Sequence, residues 1–496
     1  MKFTLEWLKE HLETEASLTE LTDCLTRIGL ELEGIEDPAE RLKGFKVGHV
    51  VHAEPHPDAD RLKILKVDVG DGQLRNVVCG APNAREGLLG ILAQPGCVVP
   101  STGDVLGKGK IRGVESEGMM CSGRELELSD DHDGIIELDA GSPGMDAAEV
   151  LGQTDPVVDI AITPNRPDAL AVRGIARDLA AAGLGRLKTL DVPEFAEDES
   201  IKVDAAIKLD GDHAWRCPLF IARGFEDVSN PEAPSWMASR LKAIGNRSIS
   251  SLVDITNWST ITHARPLHVF DADKINGQLH VRMARAGEEL LALDEKTYQL
   301  HEEDLVIADD QGPVAIAGVI GGLETGCTAE TKRVILETAY FDPIGVARTG
   351  RRHNIISDAR YRFERGIDPE FAATGDKLAA RMILDLCGGR AGKAIVVGAV
   401  PNAKPAISYD PAKLQKLTGM DVAHDDQAKM LEDLGFGVTK NDIWQVQAPS
   451  WRPDIHGAAD LVEEITRLVG LDDLPLTPLP GLDQLAKPVL TQAQRR

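Results

Sequence analysis

A chain of 496 residues, 43% of them hydrophobic, is too long for one core and is expected to divide into roughly three to five domains. Its formal net charge of −26 excludes a general nucleic-acid coat, so any grip on a polyanion must be local. No stretch approaches a membrane span, residues 1–12 form a charged amphipathic pattern and not a signal peptide, and the seven scattered cysteines lack a C-x-x-C. A cytosolic protein with no membrane contact and with reduced, mostly buried thiols is expected.

With 47 glycines, 27 prolines and only 4% aromatics, many turns and short strands are expected, hence a multidomain α+β protein. Residues 1–40 carry two helical patterns, Leu5, Leu8 and Leu12, then Leu18, Leu21, Leu25 and Ile28, stopped at Gly29, and read as a small helical cap. From Phe45 the period changes to two, and short strands with glycine turns over residues 41–150 predict a small closed barrel of the oligonucleotide-binding kind. Lys43, Lys46, Arg61, Lys63, Lys66, Lys108, Lys110 and Arg112 give it a basic edge. Because few aromatics are available to stack bases, that edge suits a shape-reading contact with RNA. His49 and His52 fall on opposite strand faces, which argues against a metal there.

Residues 151–210 read as a connector, with a helix over 168–182 ended by Gly183 and an acidic linker over 191–199. The largest module spans residues 211–390. There Gly318, Gly321 and Gly322 allow a ligand to approach the backbone, and V-I-L-E-T-A-Y-F sets Glu337 among apolar neighbours, where a carboxylate is costly without a donor. Taken singly, Glu337 is a paired structural carboxylate and His268 a satisfied core histidine. The stretch from Arg348 to Asp368 concentrates Arg348, Arg351, Arg352, Arg360, Arg362 and Arg365, with a helix start at Ser357. It is either a local grip on a polyanion or a solvated helix face. In residues 400–475 two helices and a strand precede P-S-W-R-P-D-I and a helix from near His456 bearing Asp460, Glu463 and Glu464 on one face, with Asp454 upstream. Hard oxygen donors of this kind suit magnesium, and acids in a first helical turn suit the helix dipole; both readings stand.

The ordered succession of E-P-H-P-D-A-D-R-L-K, V-C-G-A-P-N, I-T-P-N-R-P-D, V-D-I-T-N, R-P-L-H-V-F-D, L-E-T-A-Y-F, S-D-A-R-Y-R-F-E-R-G-I-D and P-S-W-R-P-D-I resembles the β subunits of bacterial phenylalanine–tRNA ligases over nearly the whole chain. The resemblance implies an OB-fold tRNA-binding barrel, a mixed α/β editing module and a small helical or winged domain. It also implies an α subunit holding the synthetic site in an α2β2 assembly, ATP-dependent charging of tRNA(Phe), and hydrolysis of mischarged Tyr-tRNA(Phe) on this chain. Carried onto matching positions, Glu337 would accept the tyrosine hydroxyl. Thr256, Asn257 and His268 would line the pocket near the ester, with Ser357 and Ala359 at the family's Thr and small-residue positions. Arg348, Arg351, Arg352, Arg360 and Arg362, with Lys63, Lys108 and Lys110 of the barrel, would contact tRNA. Asp454, Asp460, Glu463 and Glu464 would bind Mg2+ shared with the α subunit. The family's β subunit continues well past the position of Arg496, so residues 476–496, where Thr491 resembles a helix N-cap, read as the tail of a truncated or split subunit. The competing expectations are a non-catalytic tRNA-binding or assembly fragment and a metal-dependent hydrolase built on the four acids.

Overall fold

The computed structural model describes residues 1–476, 493, 494 and 496; the helix start expected at Thr491 lies outside them. Mixed α and β structure runs throughout, and no described helix is long and apolar enough to cross a membrane. All seven cysteines are free, and all but Cys327 are buried.

The N-terminus differs from the expected helix in a way that shapes the whole molecule. Lys2–Thr4 is a strand paired antiparallel with Val157–Ile160, and the helix Leu5–His11 begins only after Thr4, whose hydroxyl accepts the Trp7 N–H at 3.3 Å. A capping box between Ser17 and Glu20 starts the next helix, Leu18–Arg27. The apolar faces of these helices do not close on each other as a separate cap. Phe3, Trp7, Leu21 and Leu25 enter one core with Val172 and Ile175, Leu252 and Ile255, Ile383, and Leu461 and Ile465. Trp7 stacks on Trp258 at 4.0 Å and donates its indole N–H to Thr262 at 3.2 Å.

Residues 45–120 form a five-stranded antiparallel sheet in the order Met119–Met120, Leu89–Ala93, Phe45–His56, Ala59–Asp68, Leu74–Cys79, with its own core around Val50, Leu65, Val67 and Val77. The Val78 N–H donates to Ser116 Oγ at 3.1 Å and the Glu117 N–H to the Asn76 carbonyl at 2.7 Å, which curls the last segment back onto the far edge.

The next sheet carries the candidate site. Val334–Tyr340 lies between Leu219–Glu226 and His268–Asp271, antiparallel to both. Alternation sorts its side chains. Val334, Leu336, Phe225 and Val269 face the large core, where the helices Ser251–His263 and Ala372–Cys387 pack. Phe220, Ala222, Phe270, Ile335 and Ala339 face a second core, built with the sheet of Leu279–Met283, Leu305–Ala308 and Pro313–Ile316.

The single helix expected over residues 168–182 is a 3-10 turn, Pro167–Leu170, followed after extended Ala171 by the helix Val172–Ala181. The turn doubles back so closely that a Cβ on Gly174 would lie 1.8 Å from the Asp168 carbonyl oxygen. This brings Asp168 and Asp178 together over Arg166, which bonds Asp168 at 3.0 and 2.9 Å and Asp178 at 2.7 Å. Asp178 also accepts from Arg467 at 3.0 Å; Arg467 bonds Glu464 at 2.9 and 2.7 Å; and Glu464 is bonded by Arg452, which also holds Asp454 at 2.8 and 2.7 Å. The result is an unbroken buried chain of charge from the connector into the module at 400–475.

Breaking such a network at one carboxylate strands the guanidiniums around it. Asp178→Asn is expected to cost about 3–5 kcal/mol, read as an earlier first transition in denaturant unfolding. Burial alone would raise the Asp168 carboxyl, but Arg166 and neighbouring guanidiniums outweigh it and hold it down to about 2. A carboxyl depressed in the folded state contributes stability fully above its unfolded value near ~4 and loses it as pH falls through the folded value. Loosening of the connector is therefore expected between about pH 4 and pH 2, measured as exposure of the connector to limited proteolysis by an acid protease.

Candidate active site

His268 and Glu337 are directly opposed in the antiparallel register, so their side chains leave the sheet on the same face. Both line a small cavity of about 60 Å3 whose other walls include Gly318, Gly321, Ala359 and Phe363. The wall at Gly321 is tight: a Cβ there would sit 2.4 Å from Cε1 of His268. Gly318 adopts φ +69°, and a Cβ would come within 3.0 Å of Phe341 and Val346.

Electrostatically the two groups are mirror images. Burial pushes the His268 imidazole down to about 4, and its Nε2 has no hydrogen-bond partner. Burial pushes the Glu337 carboxyl up to about 8, only partly offset by Arg265. Arg265, 1% exposed, is turned toward the backbone instead: it donates to the Ala339 carbonyl at 3.0 Å and to the Asp368 carbonyl. At neutral pH a neutral imidazole and a neutral carboxylic acid share the cavity, and among the described residues nothing hydrogen-bonds the Glu337 carboxyl. A buried polar pair left without partners points to a ligand that supplies them.

The other expected site residues divide. Ala359 lines the cavity. Ser357 caps the helix Asp358–Phe363 by accepting the Arg360 N–H at 3.1 Å, and its hydroxyl donates to the carbonyl of Val319 at 2.6 Å, so it holds a cavity wall without facing the cavity. Thr256 and Asn257 belong to the helix Ser251–His263, on the other side of the sheet from the cavity; the Thr256 hydroxyl is spent on the Val253 carbonyl at 2.7 Å. Arg265 was missed in the sequence, where nothing distinguishes a buried arginine in H-A-R-P from an exposed one.

The arginine stretch is corrected more strongly. Arg362 is 2% exposed and bonded to Asp358 at 2.8 Å. Arg360 is committed to Glu364 at 3.0 Å and to the Ile355 carbonyl, and Arg352 to Asp304 and to Glu303 at 2.5 Å. Arg348 and Arg351 are exposed and have no ion pair or side-chain hydrogen bond among the described residues, so within this stretch they are the free cations. In the module of residues 45–120, Lys63 is spent on the Ala84 carbonyl at 2.5 Å and Lys108 pairs with Glu117 at 2.8 Å; Lys110 is exposed and has no partner among the described residues.

The expected magnesium quartet does not assemble. Glu464 is buried between Arg452 and Arg467, and Asp454 is bonded by Arg452 through both oxygens. Asp460 accepts the N–H groups of His456 and Gly457 at 2.8 and 2.9 Å as a helix cap, and Glu463 is exposed. Successive helical residues diverge by about 100°, so Glu463 cannot share the direction of Glu464. Among the described residues no group of three His, Cys, Asp or Glu side chains is placed to hold a metal ion. The donors as arranged do not fit a magnesium ion.

The modules carry the marks of an aminoacyl-tRNA synthetase chain: residues 45–146 match the family of putative tRNA binding domains, 216–388 the B3/4 domain and 407–471 the tRNA synthetase B5 domain. Over its whole length the chain is 52% identical to the phenylalanine–tRNA ligase β subunit of Paramagnetospirillum magneticum, 52% to that of Ruegeria pomeroyi and 48% to that of Zymomonas mobilis. It is similar to phenylalanine–tRNA ligase β subunits along its whole length, and it spans 62% of the length of each of these relatives.

The cavity makes two expectations measurable on stability alone. A carboxyl raised in the folded state binds more protons there than when unfolded, so stability falls as pH rises from about 4.5 to about 8. Glu337→Gln is expected to flatten that fall, seen by comparing thermal midpoints of the two proteins across this range. Gly321→Ala is expected to cost about 1–3 kcal/mol by overpacking against the His268 ring, and much of that cost is expected to vanish when His268→Ala is added, measured as a double-mutant cycle.

Proposed function

We propose that this chain acts as the β subunit of a phenylalanine–tRNA ligase in the cytosol, assembled with an α subunit as α2β2. That subunit holds the synthetic site for ATP-dependent charging of tRNA(Phe). This chain's own chemistry is then hydrolysis of tyrosine wrongly esterified to that tRNA. The reading divides the chain into an OB-fold tRNA-binding domain over 41–150, an editing module over 211–390 and a B5-type module over 400–475. The single observation that carries the editing role is the register pairing of His268 with Glu337, whose burial Arg265 only partly offsets, in one cavity.

The physical need is one of discrimination. A pocket shaped for phenylalanine rejects an added hydroxyl by only about a hundredfold, whereas a site that hydrogen-bonds the hydroxyl disfavours the analogue lacking it by about 10⁴ or more. Glu337 in its neutral form can both donate to and accept from a phenol. A phenylalanine ring entering the same cavity would leave that carboxyl without a partner, which supports selective hydrolysis of the tyrosyl ester. His268 adds a neutral imidazole to the same polar end, and the small side chain of Ala359 leaves room toward the ester. At about 60 Å3 the cavity must widen at its glycine wall to admit the ring. Arg348 and Arg351 are the cations left for the acceptor end. No step is assigned to magnesium.

Purified chain incubated with tyrosyl-tRNA(Phe) is expected to deacylate it, with Glu337→Ala and His268→Ala each slower by at least about tenfold. Deacylation is expected to survive chelator, because the four acids lie in another module. Activity no higher than in the Glu337→Ala protein would favour the non-catalytic tRNA-binding fragment, and loss in chelator would favour the metal-dependent hydrolase.

A further inference from the structure

We propose that a second cavity, adjoining the His268–Glu337 site across Arg265, binds a free α-amino acid with an apolar side chain as its zwitterion. The cavity, about 250 Å3, lies where the helix Val172–Ala181, the end of the helix Ser251–His263, the loop ahead of Ala372–Cys387 and Trp451 meet. The inference does not rest on the proposed editing role.

One end of the cavity is Arg177. Its guanidinium lies 4.1 Å over the Trp451 ring. Unlike Arg166, Arg452 and Arg467 in the adjacent network, each bonded to two carboxylates, it has no hydrogen-bond acceptor or ion-pair partner among the described residues. Asp168 and Asp178 are near but already spent on Arg166 and Arg467. Five fork-shaped donors on a largely desolvated cation are an incomplete arrangement, and a carboxylate completes it in two parallel bonds.

The other end is Asp368. Its Oδ1 accepts the N–H groups of Glu370 and Phe371 at 2.9 and 3.3 Å, while Oδ2 accepts nothing among the described residues. His263, in the same wall, is kept neutral by burial, and its Nδ1 is buried without a partner. A carboxylate and a neutral imidazole suit an ammonium. A plain anion would leave Asp368 opposed to it, and a plain amine would meet Arg177. Leu187, Ile367 and Phe371 make the apolar part of the lining. Charges of both signs near enough to act on each other, beside an apolar wall and in a space of this size, fit an α-amino acid, whose ammonium and carboxylate share one carbon and whose hydrocarbon side chain lies along the wall.

The full chain titrated with L-phenylalanine and L-leucine, by calorimetry and tryptophan fluorescence, is expected to bind at least one saturably. 3-Phenylpropionate and phenethylamine, each lacking one charge, are expected to bind at least tenfold more weakly than phenylalanine. Arg177→Gln and Asp368→Asn are each expected to weaken binding at least tenfold; the second retains the Oδ1 acceptor that orders its loop. Trp451→Phe is expected to abolish the fluorescence change while calorimetric binding persists. The proposal is overturned by absence of saturable binding, by phenylpropionate binding as tightly as phenylalanine, or by binding that survives both Arg177→Gln and Asp368→Asn.

Discussion

Three guanidiniums and four carboxylates, running from Arg166 through Asp178 and Arg467 to Asp454, are the constraint around which this molecule is arranged. Buried charges are tolerated only when each is met by its opposite in good geometry. Meeting that condition here joins segments nearly three hundred residues apart in the chain. The cost of misplacing any member gives the connector and the module at 400–475 one relative position, and the apolar core beneath them, shared with both N-terminal helices, follows it.

The same constraint explains why four acids that look like metal ligands are not arranged as such. Glu464 lies between two arginines because the helix Ala458–Val469 turns that face inward, toward Asp178. It also accounts for Arg177, which sits one position before Asp178 and so points away from the network, against Trp451 and into open space. Two neighbouring residues on one helix thus meet opposite fates, one saturated and one bare.

The site between the two sheets depends on a simpler device. Pleating places residues 335, 337 and 339 on one face, and the antiparallel register sets His268 against Glu337. A shift of one residue in the strand His268–Asp271 would set Val269 against Glu337 and turn His268 toward the helical core. The polar pair is embedded in otherwise apolar surroundings, so desolvation acts on both groups at once, lowering the base and raising the acid.

The period-two strands, the Ser357 cap, the glycine stops and the ordered motifs were all legible in the residues, because each is set by local backbone geometry and side-chain chemistry. Glu337 stood out for the same reason, as a carboxylate in an apolar run, whereas His268 was singled out only by the family resemblance. What the chain order could not convey was which charges cancel. Arg352, Arg360 and Arg362 read as a basic grip until Asp304, Glu364 and Asp358 were seen to neutralise them. Thr256 and Asn257 fell behind the sheet because the direction of a helical side chain is decided by what the helix packs on. Ion pairing and burial are sums over neighbours distant in sequence; the chain by itself determined most of the elements and the family likeness, and only the tertiary structure decided which of their charged groups remain free to act.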